Sequence, residues 1–95
     1  MVVGVCRISL LIHDNHSLKG KRQVVKSIVE KVKSRFNVSV AEVGDNDLWQ
    51  RAELGVTAVG NDRAFVNSVM DKVMNFIESL HAAEIVGQNI ELINY

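Results

Sequence analysis

The first residues of the chain alternate in side-chain polarity with a period of two, the pattern of a strand that buries one face. Within residues 2–13, the buried face is predicted to carry Val2, Cys6, Ile8, Leu10 and Ile12. Residues 50–60 repeat the pattern, with Ala52, Leu54, Val56 and Ala58 facing inward. Shorter apolar runs at residues 38–44 and 85–95 predict two further strands, the last with a kink at Gly87.

Two other segments repeat their apolar residues every three to four positions, as amphipathic helices do. The first helix is predicted to begin after the N-cap residue Ser17 and to end near Arg35. Its core face carries Leu18, Val25, Ile28, Val29, Val32 and Phe36. The second is predicted from Arg63 to about His81, with a core face of Val66, Val69, Val73, Phe76, Ile77 and Leu80.

The order strand–helix–strand–strand–helix–strand predicts a ferredoxin-like α+β fold. Each strand–helix–strand crossover must be right-handed, and each helix has one apolar stripe to bury. Both helices therefore cover one face of a four-stranded antiparallel sheet whose central strands are the first and third. The open face carries Val3, Val5, Leu11 and Val59. Because a monomer would expose this apolar patch, we expect a homodimer.

The composition fits one domain spanning residues 1–95, with 47% apolar and 23% charged residues. The single cysteine, Cys6, lies in an apolar run and is expected to be a buried hydrophobe rather than a reactive thiol. No segment has the pattern of a signal peptide or a membrane span. We therefore expect a cytoplasmic protein with no membrane partner.

The formal net charge of zero conceals an uneven distribution of charged residues. Residues 1–36 contain eight basic and two acidic residues, whereas residues 37–95 contain three basic and nine acidic ones. This separation favours a polarised molecule whose basic side attracts polyanions.

The start of the first helix gives the strongest functional signal. A helix N-terminus favours Asp or Glu, but this one has Lys19, Lys21 and Arg22 in its first turns. Gly20 stands where a capping box would have Glu, and glycine destabilises a helix by about 1 kcal/mol. A bound anion would resolve both conflicts, because free backbone N–H groups and nearby cations attract it.

Further cations continue from this helix start along one side of the helix. Four cations lie within about 60° of one another on the helical wheel and extend over about 21 Å along the helix axis, namely Lys19, Arg22, Lys26 and Lys33. We predict an anion or nucleic-acid site formed by Ser17, Lys19, Lys21, Arg22, Lys26 and Lys33. The alternative interpretation is a solvated helix face whose aliphatic stems cover apolar surface.

Other residues give weaker signals. Arg7 is a candidate contact residue. Trp49 is expected either to plug one end of the core or to form a contact surface. His13, Asp14 and His16 make an incomplete metal site, so we assign no metal. No nucleophile–base constellation, Walker-type loop or cofactor motif is recognisable, and we expect a protein that is not an enzyme and has no cofactor. The outward positions of the central strands lack the stacking aromatics with which an RRM reads bases.

Three blocks of the sequence carry a family resemblance: Ser17-Leu18-Lys19-Gly20-Lys21-Arg22, residues 36–43 and residues 47–56. Together they resemble the YlxP-like family of small bacterial proteins of uncharacterised function. The resemblance covers essentially the whole chain and implies a ferredoxin-like fold. The genes of this family commonly lie beside those for translation initiation and ribosome-maturation factors, which implies a role around the ribosome or RNA. The family has no established catalytic residues to transfer.

Three kinds of function remain open from the sequence. We favour a non-enzymatic module that binds RNA or a ribosomal surface through its basic first helix. The second is a regulatory module that binds a small anionic ligand near residues 14–22. The third is a protein-interaction module that dimerises through its open sheet face.

Overall fold

The computed structural model describes residues 1–95 and confirms the predicted ferredoxin-like fold. The elements are β1 Val2–Leu11, α1 Leu18–Arg35, β2 Ser39–Gly44, β3 Arg51–Gly60, α2 Arg63–Ser79 and β4 Glu84–Asn94. The strands form one sheet in the order β2-β3-β1-β4, and every neighbouring pair is antiparallel. As predicted, the first and third strands are central.

The core lies between the sheet and the two helices. In the β1–β3 register, Cys6 pairs with Val56 and Ile8 with Leu54, so the inward faces of the two central strands coincide. The helices bury Val25, Ile28, Val32, Val66, Met70, Val73, Met74 and Ile77 against this surface. The rings of Phe36 and Phe76 meet edge to face, with centroids 5.6 Å apart, and join the helices.

Cys6 is buried in this core, as predicted. Burial raises the pKa of its thiol, and the negative charge of Asp71 adds to the effect. The neutral thiol is therefore favoured, which suits a small core hydrophobe better than a nucleophile.

Local backbone conformation adjusts one predicted boundary and explains one predicted kink. His81 has a φ of 53°, so it leaves the helical region and α2 ends at Ser79. At the predicted kink, Gly87 pairs with Ser9 while Ile85 pairs with Leu10. Val86 is thus an extra residue in β4, which is the geometry of a β-bulge.

The sheet face opposite the helices is uncovered. Val5, Val59 and Ile93 are exposed there, and Val3 lies between Val59 and Ile93 in the register. This confirms the predicted apolar patch on the open face. Neither helix combines the length and apolar content needed to cross a membrane.

Candidate functional site

Ser17 caps the N-terminus of α1, as the sequence predicted. It has extended backbone angles, and its hydroxyl oxygen accepts a hydrogen bond of 3.0 Å from the backbone N–H of Gly20. No acidic residue lies in the first turn. The Ser17 cap is therefore the only side chain of the helix start that offsets the positive end of the helix dipole, because α1 has no carboxylate there.

Four of the predicted cations lie together on the exposed side of α1. They are Lys19, Arg22, Lys26 and Lys33, all of them exposed. Only Lys26 has an acidic neighbour on the helix, with its Nζ 4.0 Å from Glu30 Oε1. An exposed pair at this separation is weak, so it leaves the stripe strongly cationic. We call these four residues the basic stripe.

Lys21 does not belong to the basic stripe, and its assignment to the anion site was wrong. Its side chain has no solvent exposure. The ammonium group donates hydrogen bonds to the carbonyl oxygens of Asp45, at 2.6 Å, and Arg51, at 3.2 Å. These residues lie at the two ends of the connection between β2 and β3. Lys21 therefore points into the protein and clamps the base of this loop, which we call the hairpin loop (residues 45–51).

A carboxylate accompanies the buried ammonium. Glu42 Oε2 lies 3.2 Å from Lys21 Nζ, and the Glu42 side chain is 19% exposed. The oxygen is buried and lacks the direction of a hydrogen bond to the lysine, so the contact is mainly Coulombic. Burial strengthens such an attraction, because little water screens it.

Gly20 also has a structural explanation that the sequence did not reveal. A Cβ at this position would clash with Oδ1 of Asn15. The Asn15 side-chain amide donates hydrogen bonds to the carbonyl oxygens of Ser17, at 2.9 Å, and of Trp49. Gly20 thus gives Asn15 the space to link the start of α1 to the hairpin loop. The helix start retains two exposed cations that its own fold does not explain, Lys19 and Arg22.

The two candidate contact residues lie in different places. Trp49 is in the hairpin loop, and the Asn15 link brings its backbone next to the N-cap of α1. Arg7 lies on the open sheet face, where its Nε is 3.6 Å from Glu53 Oε1. The structure therefore brings the backbone of Trp49 next to the start of α1, whereas Arg7 lies on the open face of the sheet.

His13 and Asp14 line a separate open cavity of about 480 Å³ with Glu78, His81 and Glu84. His13 Nε2 and Glu84 Oε1 are 2.9 Å apart and share a hydrogen bond. The side chains around this cavity are not arranged to hold a metal ion. His16 instead lines the surface beside Trp49.

Comparison with known proteins identifies the family. Residues 3–90 match the family model described as DUF503, protein of unknown function. The uncharacterized protein YlxP of Bacillus subtilis (strain 168) is 37% identical over 83 residues, covering 87% of this chain and 90% of the relative. The chain belongs to the DUF503 family. The resemblance to YlxP-like proteins is thereby confirmed.

Among solved structures, the de novo designed protein Foldit4 is similar to this DUF503 member with a TM-score of 0.51 and 18% identity. The match covers 99% of this chain and 97% of the designed one. At that identity the similarity establishes the fold alone. One backbone can host unrelated functions, so the function of this chain must be argued from its surface residues.

Proposed function

We propose that this protein is a non-enzymatic binding module for structured RNA, on the ribosome or free, and that it acts through the basic stripe. The observation that carries the proposal is the exposure of Lys19, Arg22, Lys26 and Lys33 on one side of α1. Lys19 and Arg22 lie at a helix start that has no acidic residue in its first turn. Phosphate groups placed there would gain from the cations and from the helix dipole together.

The geometry favours a polyanion over a single small anion. Residues 19 and 33 are about 21 Å apart along the helix axis at 1.5 Å per residue. A single phosphate can reach one or two of these cations, whereas a nucleic-acid backbone can reach all four. Contacts of this kind position the RNA without reading its sequence.

The salt dependence of RNA binding tests the proposal. Four neutralised phosphates give a slope of about −3.6 in a plot of log K against log salt for a duplex, so a fourfold rise in salt weakens binding roughly 10²-fold. Replacing Lys19 and Arg22 by Ala is expected to flatten the slope by nearly two and to weaken binding to all duplex sequences alike.

A second double variant is the matched control. Lys31→Ala with Lys72→Ala removes the same charge from exposed positions outside the basic stripe. We expect this control to change the slope by much less than the stripe variant. Equal effects of the two variants would mean that only the overall charge matters, and the proposed site would be wrong.

We propose in addition that the open sheet face pairs with a second copy of the chain. Val5, Val59 and Ile93 are exposed on this face, while Arg7 and Glu53 place opposite charges side by side. A face with apolar residues and both signs of charge suits a protein surface better than a polyanion. The basic stripe and the pairing face would then lie on opposite sides of the sheet.

A further inference from the structure

The hairpin loop presents an aromatic side chain that the fold does not use. Trp49 is the only tryptophan of the chain, and its residue is 55% exposed. The one aromatic pair of the structure is Phe36 with Phe76, and the one cation over a ring is Arg35 over Phe76. The indole therefore has no aromatic or cationic partner within the chain.

An open cavity of about 580 Å³ lies beside the indole. Its walls combine three polar side chains with three apolar ones, namely His16, Gln50, Arg51, Leu11, Leu48 and Trp49. A flat aromatic surface next to hydrogen-bond donors and a guanidinium group suits a planar, polar ligand that carries negative charge nearby.

Two side chains hold the loop that carries Trp49 through three hydrogen bonds to its backbone. Lys21 binds the carbonyl oxygens of Asp45 and Arg51 at its two ends. Asn15 binds the carbonyl oxygen of Trp49 itself. Because the backbone of the loop is fixed before any ligand arrives, binding on the indole loses little conformational entropy. The buried Lys21 thus holds the loop that presents the exposed Trp49.

We propose that Trp49 is a stacking platform for an unpaired RNA base, with Asn15 and Lys21 as the residues that position it. This inference rests on the proposed function, since Asn15 ties the Trp49 backbone to Ser17, next to the helix start where Lys19 and Arg22 would hold the phosphates. Every base has a π face, so stacking selects an unpaired base over a paired one without selecting its identity. The RNA expected to bind is therefore a helix that is interrupted by a bulged or looped-out base.

Three RNA duplexes test the inference. One is fully paired, one carries a single bulged adenosine, and one has an abasic residue at the bulge. Binding is measured by anisotropy of labelled RNA, and stacking by quenching of Trp49 emission. We expect the bulged RNA to bind about 10-fold more tightly than the other two and to be the only one that quenches the indole strongly.

Substitutions test whether the preference for the bulged RNA depends on the Trp49 indole and on Asn15, which positions it. Trp49→Leu should abolish the preference, and Trp49→Phe should retain part of it. Asn15→Ala removes the hydrogen bonds to the carbonyl oxygens of Trp49 and Ser17 but keeps the indole and all four cations of the stripe. It should reduce the preference for the bulge more than the affinity for the paired duplex. Asn75→Ala, at an exposed position of α2, is the control and should have no effect.

The outcomes separate this inference from the proposed function. Equal, salt-dependent binding of all three RNAs would overturn the stacking site and leave the phosphate site standing. Salt-independent or absent binding of all three would overturn both. If free adenosine monophosphate quenched Trp49 as efficiently as the bulged RNA, the cavity would belong to a small ligand, and the RNA inference would be wrong.

Discussion

A lysine ammonium group without solvent exposure is stable only when protein atoms replace the water around it. In this chain two backbone carbonyls and one carboxylate surround Lys21. Its burial could have been predicted, because at 100° per residue Lys21 lies between Ile28 and Val32 on the helical wheel of α1. Its partners could not, since every residue offers a carbonyl and only the folded loop selects those of Asp45 and Arg51.

A double-mutant cycle measures what the Lys21–Glu42 contact contributes. Lys21→Met leaves a partly buried carboxylate and two carbonyls without their partner, and we expect it to lower the free energy of unfolding by about 3 kcal/mol. Glu42→Gln should have a smaller effect, because Glu42 is 19% exposed on its side chain. Urea denaturation of both single variants and the double variant gives the coupling energy.

In the double variant no carboxylate remains to be left unpaired, so its loss should be smaller than the sum of the two single losses. Strict additivity would mean that the carboxylate and the ammonium do not stabilise each other, and Lys21 would act through the carbonyls alone.

At the scale of helices and strands, the period of the apolar residues was enough to predict how many elements the chain forms, which are helices or strands, and their order. It works because each element buries one face, and the buried faces of β1 and β3 are those that the pattern predicts. The helices differ in detail: α1 also buries Lys21, and α2 buries Met70 and Met74 while the predicted Val69, Phe76 and Leu80 are only partly buried. The ends were less predictable. They depend on single backbone angles, as at the end of α2, where His81 has a φ of 53°.

Two neighbouring residues of α2 test the assignment of its faces. Val73 is buried and Lys72 is exposed. Val73→Ala removes two methyl groups from a packed site, so we expect it to lower the free energy of unfolding by some 1–3 kcal/mol. Lys72→Ala should change it by less than about 0.5 kcal/mol. Chemical denaturation of both variants is the measurement, and equally small losses would contradict the packing of α2 on the sheet.

The whole molecule presents two unlike surfaces on opposite sides of one sheet. The helical side carries the basic stripe and reaches the hairpin loop, and the open side carries the apolar patch. Both surfaces were predictable in outline from alternation and the helical wheel. The proximity of Trp49 to the helix start was not, because it depends on the Asn15 link across 34 positions of sequence.

Sedimentation equilibrium tests the pairing of the open faces. We expect a homodimer at high micromolar concentration, because pairing removes Val5, Val59 and Ile93 from water. Val59 is 64% exposed, so Val59→Asp should leave the monomer folded while it places a desolvated charge in the interface. This variant should sediment as a monomer, whereas the exposed control Lys72→Asp should remain a dimer. A wild-type chain that sedimented only as a monomer would contradict the proposal.

The buried contact between Lys21 and Glu42 also constrains how sequences of this family can diverge. Loss of either partner alone leaves the other poorly solvated, whereas replacement of both by apolar residues of similar volume can be neutral. Evolution should therefore change the two positions together, although 21 positions of sequence separate them. Among DUF503 members, those with an apolar residue in place of Lys21 are expected to have lost the acidic residue in place of Glu42 as well.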